Sequence, residues 1–147
     1  MKLKITLSVL FILLSQASEA ATSCPKTFAA AVDQQFRALD ERDLETYMST
    51  VPADQDQLVI LPDGNIWSTR DQIEQGHKEW FKDTSWVFKR ELIRKDTRET
   101  WALFIYRVSV DRPNSPGKPF LLSMMFAPEE NGCWYLQHDQ NTLLPDK

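Results

Sequence analysis

The chain has 147 residues, 42% hydrophobic and 11% aromatic, with 17 Lys and Arg against 21 Asp and Glu, a formal net charge of −4 at pH 7. This length fits about one domain and carries enough Trp, Phe and Leu for a proper core. An acidic balance without a basic run argues against nucleic acid and against anionic membrane surfaces as partners.

The chain opens with Lys2 and Lys4, an uncharged apolar run over residues 5–14, and the small-residue stretch "SQASEA". Ser18 and Ala20 occupy the −3 and −1 positions of a cut before Ala21. The apolar run is far shorter than the ~20 residues that span a bilayer. Residues 1–20 are therefore read as a secretory signal peptide, and residues 21–147 as a single secreted or periplasmic domain with no membrane contact after cleavage. Cleavage would remove two lysines and one glutamate, taking the net charge from −4 to −5. The two cysteines, Cys24 and Cys133, lack the CxxC spacing of redox enzymes, and in an oxidising compartment a lone pair is most simply a disulfide. Cys24 follows "ATS", so lipid attachment at Cys24 is the alternative, although Ala21 stands where an apolar residue is usual.

Phe28, Val32, Phe36 and Leu39 recur at helical spacing. Asp43 then stands as an N-cap for a short helix carrying Leu44, Tyr47 and Met48. "DQLVILPDGNIW" reads as a strand, a turn and a short return strand. Thr69 and Gln72 have capping-box spacing, opening an amphipathic helix with Ile73, His77, Trp80 and Phe81 on its apolar side. "SWVFKRELIRK", "ETWALFIYRVSV", "FLLSMMFA" and "CWYLQHDQ" follow as strands, the second and third separated by the proline-rich "RPNSPGKP". Helices first and antiparallel strands afterwards is an α+β pattern.

"FRALDERDLETYMS", a hairpin holding "PDG", a helix ending "WF", long strands and a closing "WYLQHDQNT" together resemble the nuclear transport factor 2-like superfamily, and most of all its SnoaL-like, ketosteroid isomerase-like secreted bacterial members of uncharacterised function. The resemblance covers the whole mature chain. It implies a cone: a strongly bent, mixed but mainly antiparallel sheet wrapped around three N-terminal helices, with a pocket at the open end. It also implies where the isomerases keep their acids and bases. Those positions fall on Gln35, Leu61 and near Ser123, none of which has the required chemistry.

The remaining candidates come from the residues themselves. On a regular strand Trp134, Leu136, His138 and Gln140 share a face, taken here as the concave one, with Asp139 opposite. His138 is then either a general base or a histidine satisfied at the pocket rim, and Asp139 is the other catalytic candidate. Tyr47, His77 and Trp80 project from the helices, and Trp86, Arg90 and Trp134 from the strands. Arg90 and Arg107 alternate with tryptophans, where each would hold a ligand carboxylate or simply lie over an aromatic ring. The expected binding set is Tyr47, His77, Trp80, Trp86, Arg90, Trp134, His138 and Gln140. No cofactor is expected, and no ligand spacing marks a metal site around His77 and His138. "FLLSMMF" is apolar on both faces, which points to a homodimer through the sheet. The leading functional expectation is a secreted domain binding a small, largely apolar molecule without established catalysis. The alternatives are a cyclase-like or isomerase-like acid–base enzyme and a protein-interaction module.

Overall fold

A computed structural model describes residues 24–53 and 57–145; the expected signal peptide and its cleavage site lie outside the described residues. Helix α1 (Phe28–Glu41) starts at Thr27, whose hydroxyl accepts the Ala30 amide, and ends at Arg42 in the left-handed region with φ 57°. Its stripe of Val32, Phe36 and Leu39 is buried, as the helical spacing predicts. Arg42 is an unusual residue for that conformation. Its guanidinium donates to the carbonyls of Asp83, Thr84 and Trp86 and lies 4.1 Å over the Trp86 ring, which anchors the turn. Helix α2 (Leu44–Met48) is capped by the Asp43 carboxylate, which accepts the Thr46 amide. Helix α3 (Arg70–Trp80) carries the expected capping box between Thr69 and Gln72.

Strands β1 (Leu58–Ile60) and β2 (Ile66–Trp67) form the short hairpin. The long strands are β3 (Val87–Thr97), β4 (Ala102–Asp111), β5 (Phe120–Pro128) and β6 (Trp134–Leu143). They make one mixed six-stranded sheet in the order β2-β1-β6-β5-β4-β3, curled but not closed, in which β1 runs parallel to β6 and every other pair is antiparallel. The three helices cover its concave face. There Phe36, Leu39, Tyr47, Ile73, Phe104, Phe126 and Leu136 belong to one continuous buried cluster. Each such side chain contributes roughly 1.5–3 kcal/mol by leaving water.

The cysteine pair ties the two ends of this assembly. Cys24 and Cys133 are disulfide-bonded with Cα atoms 5.6 Å apart, across a sequence separation of 109. The Trp134 amide donates to the Pro25 carbonyl, so the segment entering α1 is held beside the start of β6 by a covalent bond and a hydrogen bond.

One irregularity in β6 decides what the site contains. Phe126 pairs with Leu136 but Met125 pairs with His138, leaving Gln137 as an extra residue in β6, a bulge. Leu136 and Asp139 therefore both face the helices, although they are three residues apart. His138 pairs with Leu58 on one side and with the exposed Met125 on the other, and Gln140 is exposed. The expectation that His138 and Gln140 share the concave face with Trp134 and Leu136 is thus corrected: the bulge shifts the alternation by one, and Asp139 and Asn141 take the inward positions.

Candidate functional site

Between α1, α2, α3 and the concave face lies a cavity of about 350 Å³. Leu39 from α1, Val59 and Leu61 from the hairpin, Phe88 and Val110 from β3 and β4, and Phe120 and Leu122 from β5 make its walls apolar. Trp67 and Trp80 complete them. Trp67 can lie against α3 because residue 76 is glycine: a Cβ there would sit 2.1 Å from Trp67 Cη2. Trp80 is fixed from behind by Trp86, stacked at a centroid distance of 4.4 Å.

Four polar side chains line this apolar space: Tyr47, His77, Asp139 and Asn141. Tyr47 stacks on His77 at 3.9 Å and is almost wholly buried. Asp139 is 8% exposed, and its Oδ1 accepts from Asn141 Nδ2 at 2.8 Å. Burial pushes the Asp139 carboxyl up to about 7, against the opposing effect of the Asn141 hydrogen bond. Burial also raises the Tyr47 phenol well above its ordinary range, with the Asp139 charge adding to it and a hydrogen bond to Gln35 opposing. His77 is 7% exposed and is pushed down to about 4 by burial, so it is neutral at physiological pH. Its Nδ1 lies 2.8 Å from the Ile73 carbonyl, which can only accept. Nδ1 therefore carries the proton and Nε2 is an acceptor.

Beneath Tyr47 sits a second polar layer. Gln35 is 1% exposed, bonds the Tyr47 hydroxyl and accepts from the Thr50 hydroxyl. The Thr50 carbonyl in turn accepts the Leu136 amide, linking the layer to β6 next to its bulge. The position that implied a missing isomerase tyrosine thus holds a glutamine that orients a different tyrosine, one helix later.

Of the expected binding residues, Tyr47, His77 and Trp80 line the cavity; Trp86, Arg90, Trp134, His138 and Gln140 do not. Trp86 lies behind Trp80. Arg90 pairs with Asp40 through two 2.8 Å contacts and covers the Phe36 ring at 4.5 Å, so it is an arginine lying over an aromatic rather than a carboxylate receptor. Trp134 packs edge-on against Phe28 at 5.6 Å, away from the cavity. Arg107 is exposed and pairs in register with Glu91 and Leu121. Leu61, at the position implied for an isomerase base, lines the cavity as an apolar wall, and Ser123 stands between the buried Leu122 and Met124, facing away from the helices. Asn141 and Trp67 were not anticipated. The Asp139-x-Asn141 spacing is a usable signal, since two hydrogen-bonding residues two apart on a strand share a face. Among the described residues, no group of three or more His, Cys, Asp or Glu is placed to hold a metal ion.

No protein-family model matches the chain, and neither does any curated protein. Solved structures do match. A protein from Thiobacillus denitrificans, provisionally described as a calcium/calmodulin-dependent protein kinase type II association domain, superposes with a TM-score of 0.73 at 16% identity, covering 84% of this chain and 99% of its own. One from Streptomyces avermitilis, provisionally a dehydratase of the NTF2-like family, gives 0.66 at 15% identity over 80% and 94%. One from Shewanella frigidimarina, provisionally a ketosteroid isomerase, gives 0.66 at 10% identity over 76% and 90%. At such identities the likeness speaks for the fold and leaves activity open. With three helices cradled in a curled six-stranded mixed sheet, this chain has the nuclear transport factor 2-like fold.

Proposed function

We propose that this protein binds a small, largely apolar molecule in the helix-covered cavity, with the polar end of the ligand at Tyr47, His77, Asp139 and Asn141. The observation that carries this reading is the cavity itself: about 350 Å³, walled by leucine, valine, phenylalanine and tryptophan, with a few polar groups set among them. That volume and that mix are typical of small-molecule sites. Organic extraction of the purified protein followed by mass spectrometry tests it. A single small molecule is expected in the extract, and a Val110→Trp variant, which fills the cavity from β4, should release none. A protein that takes up no small molecule would move the reading to an interaction module.

A second reading, acid–base catalysis, is favoured by Asp139. A carboxyl group held near 7 in an apolar cavity is suited to take and return a proton at physiological pH. Among the similar solved structures are proteins provisionally described as a dehydratase and a ketosteroid isomerase. Turnover that follows one ionisation near pH 7 and disappears in Asp139→Asn would support it. Tight binding of the extracted molecule without any turnover would reject it.

Export and self-association belong to the same proposal. The disulfide supports an oxidising compartment, and N-terminal sequencing of exported protein should begin at Ala21. On the sheet face away from the helices, Leu58, His138, Met125 and Leu103 form one row across four strands. A second copy covering that row would make the homodimer, which light scattering should report at twice the chain mass and Leu103→Glu should split.

A further inference from the structure

We infer that the ligand of this cavity is a cation, a lipophilic amine whose ammonium group sits against Asp139 with its apolar body among the aromatic rings. This rests on the proposed binding function and adds the chemical class of the ligand.

The first argument is charge. Among the described residues, the cavity lining holds one carboxylate, Asp139, and no lysine or arginine. The other titratable groups lining it are Tyr47 from α2 and His77 from α3, both neutral near pH 7. A ligand carboxylate or phosphate would meet a buried acid and no counter-charge. An ammonium would supply the partner that Asp139 lacks, so that ionising the carboxyl would no longer leave an unpaired charge in an apolar cavity.

The second argument is the hydrogen-bond inventory. Both amide hydrogens of Asn141 are committed, one to the Ile60 carbonyl at 2.9 Å and one to Asp139 Oδ1 at 2.8 Å. What Asn141 has left to offer is its amide oxygen. His77 uses its only N–H on Ile73, so its Nε2 offers a lone pair. Ionised Asp139 accepts only. The polar set is therefore rich in acceptors and suits a ligand with several N–H donors. A ketone or ester, which only accepts, offers no hydrogen to Asp139, Asn141 or His77.

The third argument is the walls. Tyr47, Trp67, Trp80, Phe88 and Phe120 line the same space. The negative faces of aromatic rings attract a desolvated cation, and a carboxylate set among such rings is a known way to hold organic ammonium ions. Trp80 is held in place by the Trp86 stack and Trp67 by its seat against Gly76, so both rings are positioned before a ligand arrives.

Three probes sharing one apolar cage separate the possibilities: 1-adamantanamine, 1-adamantanol and 1-adamantanecarboxylate. Binding to the disulfide-bonded chain is measured by calorimetry and by tryptophan fluorescence at pH 8 and at pH 5. The amine stays charged at both values, whereas Asp139 is ionised at the first and protonated at the second. At pH 8 the amine is expected to bind roughly tenfold more tightly than the alcohol, and the carboxylate not measurably. At pH 5 the preference for the amine should shrink several-fold, to what the aromatic walls alone supply. Asp139→Asn should reduce amine affinity at pH 8 by roughly tenfold and make the amine-to-alcohol ratio independent of pH between 5 and 8. If the alcohol binds as tightly as the amine at pH 8, the inference fails while the cavity remains a binding site. If none of the three binds, the binding function fails and the inference with it.

Discussion

Asp139 and His138 are adjacent in the chain, yet one is buried beside Tyr47 and the other sits between Met125 and Leu58 on the outer face. The cost of that burial falls on Asp139, which stays protonated up to about pH 7 instead of ionising near 3.8. Asp139→Asn keeps the shape and removes the ionisation. It should therefore stabilise the protein at pH 8 by roughly 2–4 kcal/mol and change little at pH 4. His138→Ala takes away an outer-face side chain and should leave the unfolding free energy within about 0.5 kcal/mol. It should also leave cavity binding intact. Denaturant titrations of the two variants check both statements. A His138→Ala protein that loses its ligand while keeping its fold would return His138 to the site.

At the scale of elements, α1, α2 and α3 and all six strands are legible in the residues, because caps, periodicity and turn chemistry agree with one another. Three of the cavity-lining residues are legible for the same reason: Tyr47, His77 and Trp80 lie on helix faces that the apolar stripes already orient. Asp139 and Asn141 depend on the bulge, and nothing in "CWYLQHDQNT" marks Gln137 as the extra residue. A bulge is set by how β6 must bend to follow β5 while its Leu136 amide turns to the Thr50 carbonyl, which is tertiary information. A one-residue slip exchanges the two faces of a strand, so a correct strand assignment still turned the wrong residues inward beyond Leu136. Arg90 and Trp86 went astray differently: alternation placed them on the inner face, but the cavity occupies only part of that face. The bulge can be tested directly. Deleting Gln137 leaves Leu136, His138 and Asp139 in regular alternation, with Asp139 still inward. The variant should lose about 1–3 kcal/mol with the lost bend but retain a carboxyl titrating near 7 in carbon NMR. A variant in which that titration returns to the ordinary carboxylate range would show that the bulge itself seats Asp139.

At the scale of the whole molecule, two constraints act on the folded state as a unit. The Cys24–Cys133 bond closes nearly the whole domain into one loop, and loop-closure entropy assigns roughly 4–5 kcal/mol to such a constraint. Unfolding with and without reductant should differ by an amount approaching that figure. The second constraint is the pair of buried titratable groups, which act in opposite directions. His77 has its folded value depressed to about 4 from 6.5, so the stability it confers is present above 6.5 and lost as pH falls toward 4. Asp139 has its folded value raised to about 7 from 3.8, so its contribution is full below 3.8 and lost as pH rises toward 7. Between about 4 and 6.5 the unfolded chain holds a proton on the histidine that the folded chain lacks, and the folded chain holds one on the aspartate that the unfolded chain lacks. The two slopes cancel. Native stability should therefore be nearly flat across that window, falling below it as Asp83 and Asp111, held down to about 2 by their hydrogen bonds to Ser85 and Lys89, begin to protonate. Single substitutions should uncover each slope. Asp139→Asn leaves the histidine alone, and stability should rise from pH 4.5 to 6.5 by about 1 kcal/mol per pH unit. His77→Phe keeps the stack on Tyr47 and leaves the aspartate alone, so stability should fall over the same range at a similar rate. Denaturant midpoints at pH 4.5, 5.5 and 6.5 measure both, and a flat profile in either variant would mean that the remaining group is not buried as this structure places it.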